Sequence, residues 1–553
     1  NRTFFLPLRT FLFKIIKMKK LKLVCVAIAM ACATPTLAGG LLTNTNQHVA
    51  FDRMMSREAS IGIDGVYYNP AGVVFMSEGH HLAINWQLAF QTRTINNDYA
   101  LFTNNVNNPI TPRDFKGTAF APVIPSFQYA YNKGKWSFQA SFALTGGGGK
   151  CTFDDGLGSF EKIVAETAIA ACGLAGTIDQ VLGNTIGQPG MEMFTSDQAF
   201  GKTGKYSFNS YMHGRQYYYG LSVGAAYKFC DNFSAFLGVR GVYALTNYYG
   251  YVENINVGNM PLYKVLDPTK ESSANIELSC DQSGVGFTPI IGVDYKTGRW
   301  NFSAKYEFKT RIRLKNKSVN QTPSIGNLPA NLANQMTGIL TAKYQQAGLP
   351  LEQAKQQAEN TTNAVLNDPT VGSTMMGLKT QFDQKLNKAI GEYEDGKKIA
   401  GDIPAYLALG VGYSPVDAVR VNAGFHWFDD KNATSYNNRN KELKRGTLEY
   451  NAGVEVDVNK KITLSTGWQN TNYGLSDEYM DDKSFVVSSN SVAIGGVYHI
   501  NKKMDLNVAY FHTFYQHKKT TETVQLTADR SLNYSSDYTR NNNVFAVGLD
   551  INF

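Results

Sequence analysis

The side chains that could do acid–base or nucleophilic chemistry are scattered along this chain. A hydrolase needs a nucleophile, a base and an orienting group in one place, but neither a GxSxG nor an HExxH run occurs. No cysteine forms a CxxC pair or lies beside a histidine at zinc-ligand spacing. The sequence therefore predicts no catalytic residue, no metal site and no cofactor. The eight histidines stand at positions 48, 80, 81, 213, 426, 499, 512 and 517.

Four cysteines follow the N-terminal leader that is defined below. Cys151 and Cys172 fall in one predicted loop, so the sequence allows either a disulfide between them or two free thiols. Cys230 is predicted at the opposite end of the fold from the other three, too far away for a disulfide.

The start of the chain has the pattern of an export signal. Residues 18–38 contain a basic segment, a short apolar run and a small-residue cleavage site, and residues 1–17 form an upstream extension. A lipoprotein signal that ends at Cys32 is the alternative. The full chain has a net charge of +8, but residues 1–38 hold seven basic residues and no acid, which leaves +1 for the remainder. This balance gives no reason to expect a nucleic-acid partner.

Alternation of apolar and polar side chains is the strongest structural signal. In residues 300–309, Trp300, Phe302 and Tyr306 share one face of a strand, while Asn301 and Lys305 share the other. The last ten residues alternate in the same way and end on an aromatic residue. Fourteen such segments occur, at residues 81–94, 119–131, 135–146, 216–229, 233–248, 285–296, 299–312, 403–413, 418–430, 447–458, 461–471, 491–500, 504–516 and 543–553.

The connections between these segments alternate between short and long. Short polar turns are typical of the periplasmic end of an outer-membrane barrel, and long loops are typical of its extracellular end. The sequence therefore predicts an all-β fold, a transmembrane antiparallel β-barrel of about 14 strands over residues 80–553. Residues 160–183 and 328–398 show helical periodicity, which predicts helical segments in two extracellular loops. The long segments lie near residues 95–118, 147–215, 249–284, 313–402, 431–446, 472–490 and 517–542.

Residues 39–79 precede the first strand and lack its alternation. They contain the run Tyr67-Tyr68-Asn69-Pro70-Ala71-Gly72. Fourteen strands enclose a lumen too wide for side chains to fill, so an open pore or an internal plug is expected. This compact segment is well placed to be the plug, which we predict as an N-terminal hatch. A plain structural turn is the alternative for the motif.

Here the chain resembles the outer-membrane long-chain fatty-acid transporters, the FadL family, which includes importers of aromatic hydrocarbons. The resemblance rests on the motif at 67–72, the upstream Arg57-Glu58-Ala59 run, the fourteen strands and the C-terminal Phe553. It implies a hatch inside the barrel, with Asn69, Pro70, Ala71 and Gly72 as its gating motif facing an inward kink in the third strand. Substrate would leave sideways through a gap beside that kink.

The third segment ends in four glycines, which permit a sharp bend in a strand. Gly146, Gly147 and Gly148 are therefore the candidates for the kink, with a flexible exit from strand to loop as the alternative.

The resemblance implies a monomeric outer-membrane transporter for long-chain fatty acids or other hydrophobic molecules. Uptake would be passive, gated by the hatch, and non-catalytic. Its expected partners are the substrate, outer-membrane lipid and the barrel insertion machinery, which would read Phe553. A porin for small polar solutes and a surface adhesin remain the alternatives.

Overall fold

The structure, a computed structural model, describes residues 42–43, 46–323, 326–527 and 530–553. The predicted extension at 1–17 and the predicted signal peptide at 18–38 lie outside the described residues. Strands dominate the described chain, and short helices precede the first of them. The strands are β1 (Gly79–Tyr99), β2 (Arg113–Lys133), β3 (Trp136–Phe153), β4 (Tyr206–Cys230), β5 (Phe233–Val257), β6 (Met260–Pro261), β7 (Ile276–Thr297), β8 (Trp300–Glu307), β9 (Arg313–Gln321), β10 (Lys398–Ala400), β11 (Tyr406–Val416), β12 (Val419–Phe428), β13 (Thr447–Asn459), β14 (Ile462–Asn472), β15 (Ser489–Asn501), β16 (Met504–Tyr515), β17 (Lys518–Thr527) and β18 (Arg530–Asn552).

These strands close into one antiparallel barrel. β1 pairs with β2 on one side and with β18 on the other, from His81 opposite Asn552 to Tyr99 opposite Tyr534. Three wall strands each consist of two consecutive segments: β8 with β9, β10 with β11, and β16 with β17. With the short β6 left aside, the described residues form the predicted barrel of fourteen strands.

The two faces of the wall follow the predicted alternation. On β8, Trp300 and Phe302 are exposed on the outside, whereas Lys305 and Glu307 are buried in the lumen. Because strands that span a bilayer must pair every backbone group and present apolar side chains outward, this surface is that of an outer-membrane barrel. Among the described residues, no helix is long and apolar enough to cross a membrane.

Several strands continue well past their predicted ends. β3 continues to Phe153, which places Cys151 in the wall rather than in a loop. Within the predicted loop at 517–542, β17 (Lys518–Thr527) pairs antiparallel with the outer part of β18, from Arg530 onward. The sequence signal fades there because both faces become polar above the bilayer, while the backbone ladder continues in water.

The two predicted helical loops contain helices that cover the outer end of the barrel. Buried side chains of the first loop, such as Phe160 and Leu182, belong to one apolar cluster with Leu332 and Met336 of the second loop. All four cysteines described are free, so Cys151 and Cys172 do not form the disulfide that the sequence allowed. The helices are α1 (Val49–Met54), α2 (Gly65–Tyr68), α3 (Gly158–Thr185), α4 (Tyr263–Leu266), α5 (Leu328–Gln346), α6 (Leu351–Leu366) and α7 (Pro369–Ile390).

The segment before β1 lies inside the lumen. Residues 46–78, which we call the plug, fold into α1, α2 and a 3₁₀ turn at Gly72–Phe75. Phe51 of α1 stacks on Tyr68 of α2 with ring centroids 5.6 Å apart, and both are buried against Phe511 and Val544 of the wall. The plug is therefore packed into the barrel.

Candidate functional site

The predicted motif at Asn69–Gly72 holds the plug against the wall near the short turns. Asn69 donates from Nδ2 to Asp294 Oδ2 of β7 at 2.6 Å, and its Oδ1 accepts from the Gly72 backbone at 3.2 Å. The carbonyl of Pro70 accepts from Gln139 Nε2 of β3 at 2.7 Å, and that of Ala71 accepts from Ser234 Oγ of β5 at 2.7 Å. Three consecutive residues, Asn69, Pro70 and Ala71, thus contact three different wall strands.

Position 72 requires glycine because its backbone lies very close to the side chains of Asn69 and Asp294. A Cβ at this position would lie 2.4 Å from Asn69 Nδ2 and 3.1 Å from Asp294 Oδ2, so any larger residue would displace the amide from its carboxylate. Asn301 of β8 donates to the same Asp294 oxygen at 2.9 Å. Asp294 is fully buried and depends on these two amides, because a buried carboxylate without hydrogen bonds is costly.

Buried ion pairs join the plug to the opposite side of the wall. Within the plug, Arg57 binds Asp64 through two hydrogen bonds, Nε to Oδ2 at 2.7 Å and Nη2 to Oδ1 at 3.0 Å, and toward the wall its Nη1 lies 3.4 Å from Glu455 Oε2 of β13. Arg53 pairs with Glu455 of β13. His426 of β12 lies between Glu58 of the plug, at 2.6 Å, and a glutamate of β13. The plug is therefore fixed at several points by charge-assisted bonds.

The wall is interrupted between β2 and β3. Backbone pairing stops at Ala119 opposite Cys151 and resumes at Ser126 opposite Ala143, so residues 120–125 and 144–150 do not pair with each other. On its other side, β3 is bulged against β4 just before Gly146 and again before Gly149. Each bulge adds a residue to β3 and bends it, which opens the seam.

The predicted glycines lie at this bend. Gly146 follows the first bulge, and Gly147 and Gly149 have φ angles of +94° and +75°, a conformation that glycine adopts without strain. A Cβ at Gly147 would lie 2.3 Å from the carbonyl oxygen of Gln216. Gly148 lies between them in β3.

Sequence reasoning missed the other edge of the gap. β2 carries Pro122 and Pro125 within the unpaired stretch, and it is bulged against β1 between Ala121 and Ile124. Proline has no N–H to offer a neighbouring strand, so these positions suit an edge rather than a ladder. The Pro122 carbonyl accepts from the indole of the exposed Trp86 at 2.8 Å. The two prolines inside this predicted strand are the sequence signal that could have indicated an unpaired edge.

A cavity of about 370 Å³ connects this gap with the lumen. It is lined by outward-facing side chains of the wall such as Phe120 and Val123, and also by lumen-facing ones such as Phe511 and Val544. The cavity therefore reaches residues on both faces of the wall at the gap. Thr43 and the plug residue Asn46 also line it.

Two arginines supply most of the charge inside this cavity. Arg93 of β1 and Arg540 of β18 face the lumen, and both donate to Gln91 Oε1, at 3.1 Å and 2.7 Å. Neither forms an ion pair with a described carboxylate, and no Asp or Glu lines the cavity. A cavity whose lining combines apolar side chains with two guanidinium groups and other polar groups can hold an amphiphile whose polar end is an anion.

The motif and the bend do not meet in this structure. The motif contacts β3 at Gln139, below the bend and close to the short turn. The plug residue that reaches the bend is Gln47, whose Nε2 donates to the Leu144 carbonyl at 2.8 Å. Gln47 also accepts from Ser126 and Gln128 of β2, so it bridges both edges of the gap.

Comparisons with known proteins bear on the fold. No family model and no curated protein matches the chain. The solved structure of a Pseudomonas aeruginosa FadL homologue matches 93% of this chain and 100% of its own, with a TM-score of 0.56 and 13% identity. The chain has the fold of a FadL homologue. The resemblance predicted from the sequence is therefore confirmed for the fold.

Two further solved structures align over most of the chain at lower similarity. The toluene transporter TodX of P. putida matches 89% of this chain and 94% of its own, with a TM-score of 0.46 and 12% identity. The toluene transporter TbuX of Ralstonia pickettii matches 91% and 97%, with a TM-score of 0.45 and 14% identity.

A second cavity lies on the periplasmic side of the plug in this FadL-type barrel. It has a volume of about 680 Å³, and many charged side chains line it, including Arg53, Arg57 and Asp64 of the plug and Arg420 and Glu455 of the wall. The plug separates this polar cavity from the cavity at the gap. In the part of the chain that the structure describes, no three His, Cys, Asp or Glu side chains are placed to hold a metal ion.

Proposed function

We propose that this protein imports long-chain fatty acids, or similar hydrophobic acids, across the outer membrane by passive diffusion. The observation that carries the proposal is the cavity at the interrupted pairing of β2 with β3, which is lined by residues of both wall faces and by Arg93 and Arg540. A carboxylate would bind the two guanidinium groups, and the acyl chain would lie against the apolar lining. The FadL-type fold agrees with this assignment.

The energetics favour a sideways exit. Burial of a methylene group is worth about 0.8 kcal/mol, so a long acyl chain gains several kcal/mol on leaving water and would lose them again in the periplasm. Side chains at the outer mouth of the gap, Phe120 and Val123, are apolar and exposed where lipid is expected. A ligand that leaves between β2 and β3 would pass directly into the hydrocarbon.

Capture would take place at the outer loops. An apolar pocket of about 160 Å³ lies between α3 and the helices of the second helical loop, lined by residues such as Ile169, Leu174, Leu332 and Leu378. It offers a first resting place for an acyl chain above the barrel. We propose that the ligand then moves into the cavity at the gap.

The plug would act as the gate. Asn46 lines the cavity, and Gln47 joins β2, β3 and the plug, so a ligand that enters would meet this junction. The contacts of Asn69–Gly72 would keep the rest of the plug in place while the junction adjusts. In this proposal the contacts of Asn69–Gly72 keep the barrel closed toward the periplasm, and the junction at Gln47 opens the path toward lipid.

The test is binding of a fluorescent long-chain fatty acid to the purified barrel in detergent. Arg93→Gln/Arg540→Gln should weaken binding at least tenfold, since a hydrogen bond to a charged group contributes about 1.5–3 kcal/mol. The methyl ester of the same acid should bind both proteins alike. Arg299→Gln/Arg445→Gln removes two exposed arginines elsewhere and is the matched control.

A porin for polar solutes is the alternative, and the polar cavity on the periplasmic side favours it. Liposomes that contain the protein distinguish the two functions. Passage of a charged sugar without saturable acyl binding would support the porin and contradict the transporter. Acyl binding with little sugar leakage would do the reverse.

A further inference from the structure

The outer face of one wall strand changes abruptly from aromatic to cationic. Along β8 the outward side chains are apolar, and the last of them, Phe308, is exposed just beyond its end. From there the buried positions are Ile312, Leu314 and Asn316. The alternate, exposed positions form what we call the cationic ladder: Arg311, Arg313, Lys315 and Lys317.

The ladder is only partly neutralised. Lys398 of β10 stands directly opposite Lys315, and both are exposed. Arg313 pairs with Asp402 at 2.8 Å, and Lys317 stands opposite Asp281 of β7 without an ion pair. Among the described carboxylates, none forms an ion pair with Arg311, Lys315, Lys317 or Lys398. Like charges directly opposite each other destabilise a sheet unless an anion lies between them.

The position of the ladder indicates where such an anion comes from. The ladder begins where the apolar face of β8 ends, on the side of the long loops, so it lies at the outer headgroup level. On the neighbouring β7, Val285 and Phe287 are 62% and 71% exposed below the level of Lys315. Cations above strongly exposed apolar side chains match a lipid with an anionic head and acyl tails.

The length of the ladder favours a large headgroup. Six residue steps at about 3.3 Å each separate Arg311 from Lys317, which gives about 20 Å along the strand. One phosphodiester would reach only part of this distance. A sugar headgroup that carries several phosphates would reach most of it.

We propose that the cationic ladder, with Lys398, binds the phosphate groups of a phosphorylated glycolipid in the outer leaflet. Its acyl chains cover Phe308, Val285 and Phe287 on the outside of the barrel. This site lies on the outer surface of β7, β9 and β10, away from the gap between β2 and β3, and it does not depend on what the lumen carries.

The experiment is native mass spectrometry of the full purified chain, titrated with diphosphorylated lipid A and with its dephosphorylated form. The variant is Arg311→Gln/Lys315→Gln/Lys317→Gln, which keeps Arg313 because Asp402 is buried beside it. The matched control is Lys461→Gln/Lys502→Gln/Lys503→Gln, three exposed lysines of the short turns. A difference in gel migration between heated and unheated samples (heat modifiability) verifies that each barrel is folded.

The expected result is a tenfold or greater loss of affinity for diphosphorylated lipid A in the ladder variant, with less than a twofold change in the control. Lys315→Gln alone should weaken binding about threefold, which keeps the test open if the triple variant does not fold. Equal losses in ladder and control variants would overturn the proposal. The proposal would also be overturned if the dephosphorylated lipid bound as tightly as the diphosphorylated form. The same holds if millimolar inorganic phosphate displaced the bound lipid as effectively as added free lipid A does.

Discussion

Arg93 and Arg540 stand directly opposite each other on β1 and β18, both facing the lumen, and both donate to the same oxygen of Gln91. Two like charges in this relationship destabilise a sheet, so their juxtaposition is unfavourable in the absence of an anion. The proposed fatty-acid carboxylate would relieve this repulsion. The two arginines that would bind the carboxylate therefore also lower the stability of the empty barrel.

This link predicts opposite effects of one substitution. Arg540→Gln should raise the free energy of unfolding of the empty barrel by about 0.2–1 kcal/mol, because it removes the repulsion and keeps a side-chain donor. The same variant should bind a long-chain fatty acid more weakly. Urea unfolding in detergent and fluorescent acyl binding measure the two effects. Arg540→Lys keeps the charge and should show no gain in stability; a gain there would contradict the explanation.

Closure of the gap should stop exit without preventing binding. A Cβ at Gly149 would lie 3.5 Å from the Cβ of Ala121, which is within the range of a disulfide; because a cysteine at φ +75° strains the backbone, the reduced double variant is the reference for the oxidised one. In a Cys151→Ala background, oxidised Ala121→Cys/Gly149→Cys should retain acyl binding but lose uptake into lipid vesicles. A reductant should restore uptake.

The single variant Ala121→Cys is the control for this closure. It should transport at the rate of the parent under oxidising and reducing conditions. Unchanged uptake through the oxidised double variant would rule out the gap between β2 and β3 as the exit.

The fold could be predicted from the sequence because alternation such as that of Trp300 to Glu307 reports which face meets lipid. The site could be predicted only in part. Gly147 and Asn69 were identified from local pattern, but the pairing of Arg93 with Arg540 arises from barrel closure between the first and last strands. Nothing local to either arginine indicates the other.

The gap was missed for a related reason. Alternation shows that β2 and β3 are strands, but it does not show that residues 120–125 and 144–150 fail to pair. From Arg313 onward the sequence pattern predicts a loop, because the outward side chains of the cationic ladder are charged and the strand therefore shows no apolar face.

The contact between Asn69 and Asp294 can be tested by exchanging the amide and the carboxylate between the two positions. Asn69→Asp would place a second carboxylate 2.6 Å from Asp294 and should loosen the plug, seen as leakage of small solutes from liposomes. Adding Asp294→Asn restores one amide donor and one carboxylate, so the double variant should recover a closed barrel. The expected destabilisation of the single variant is about 1–3 kcal/mol, the penalty for a buried polar group without its partner.

Leakage that is equal in the single and the double variant would mean that the motif does not hold the plug through this contact. Asn432→Asp, at an outer loop, is the matched control and should not leak.

Glu392 lies in the outer loop between α7 and β10, and its burial predicts that the stability of this loop, here called the cap, depends on pH. Burial raises the pKa of this carboxyl to about 8, against the attraction of Lys483 and Arg439, which lowers it. Between about pH 4.5 and 8 the unfolded chain is ionised while the folded chain keeps the proton. The folded state therefore binds more protons in this window, so the free energy of unfolding falls as pH rises and levels off above pH 8.

Hydrogen exchange of residues 391–397 should accelerate over the same window beyond the intrinsic rate. Glu392→Gln, which cannot ionise, should abolish this extra acceleration and be more protected than the parent at pH 9. Equal protection of both proteins at pH 9 would show that Glu392 does not couple the cap to pH.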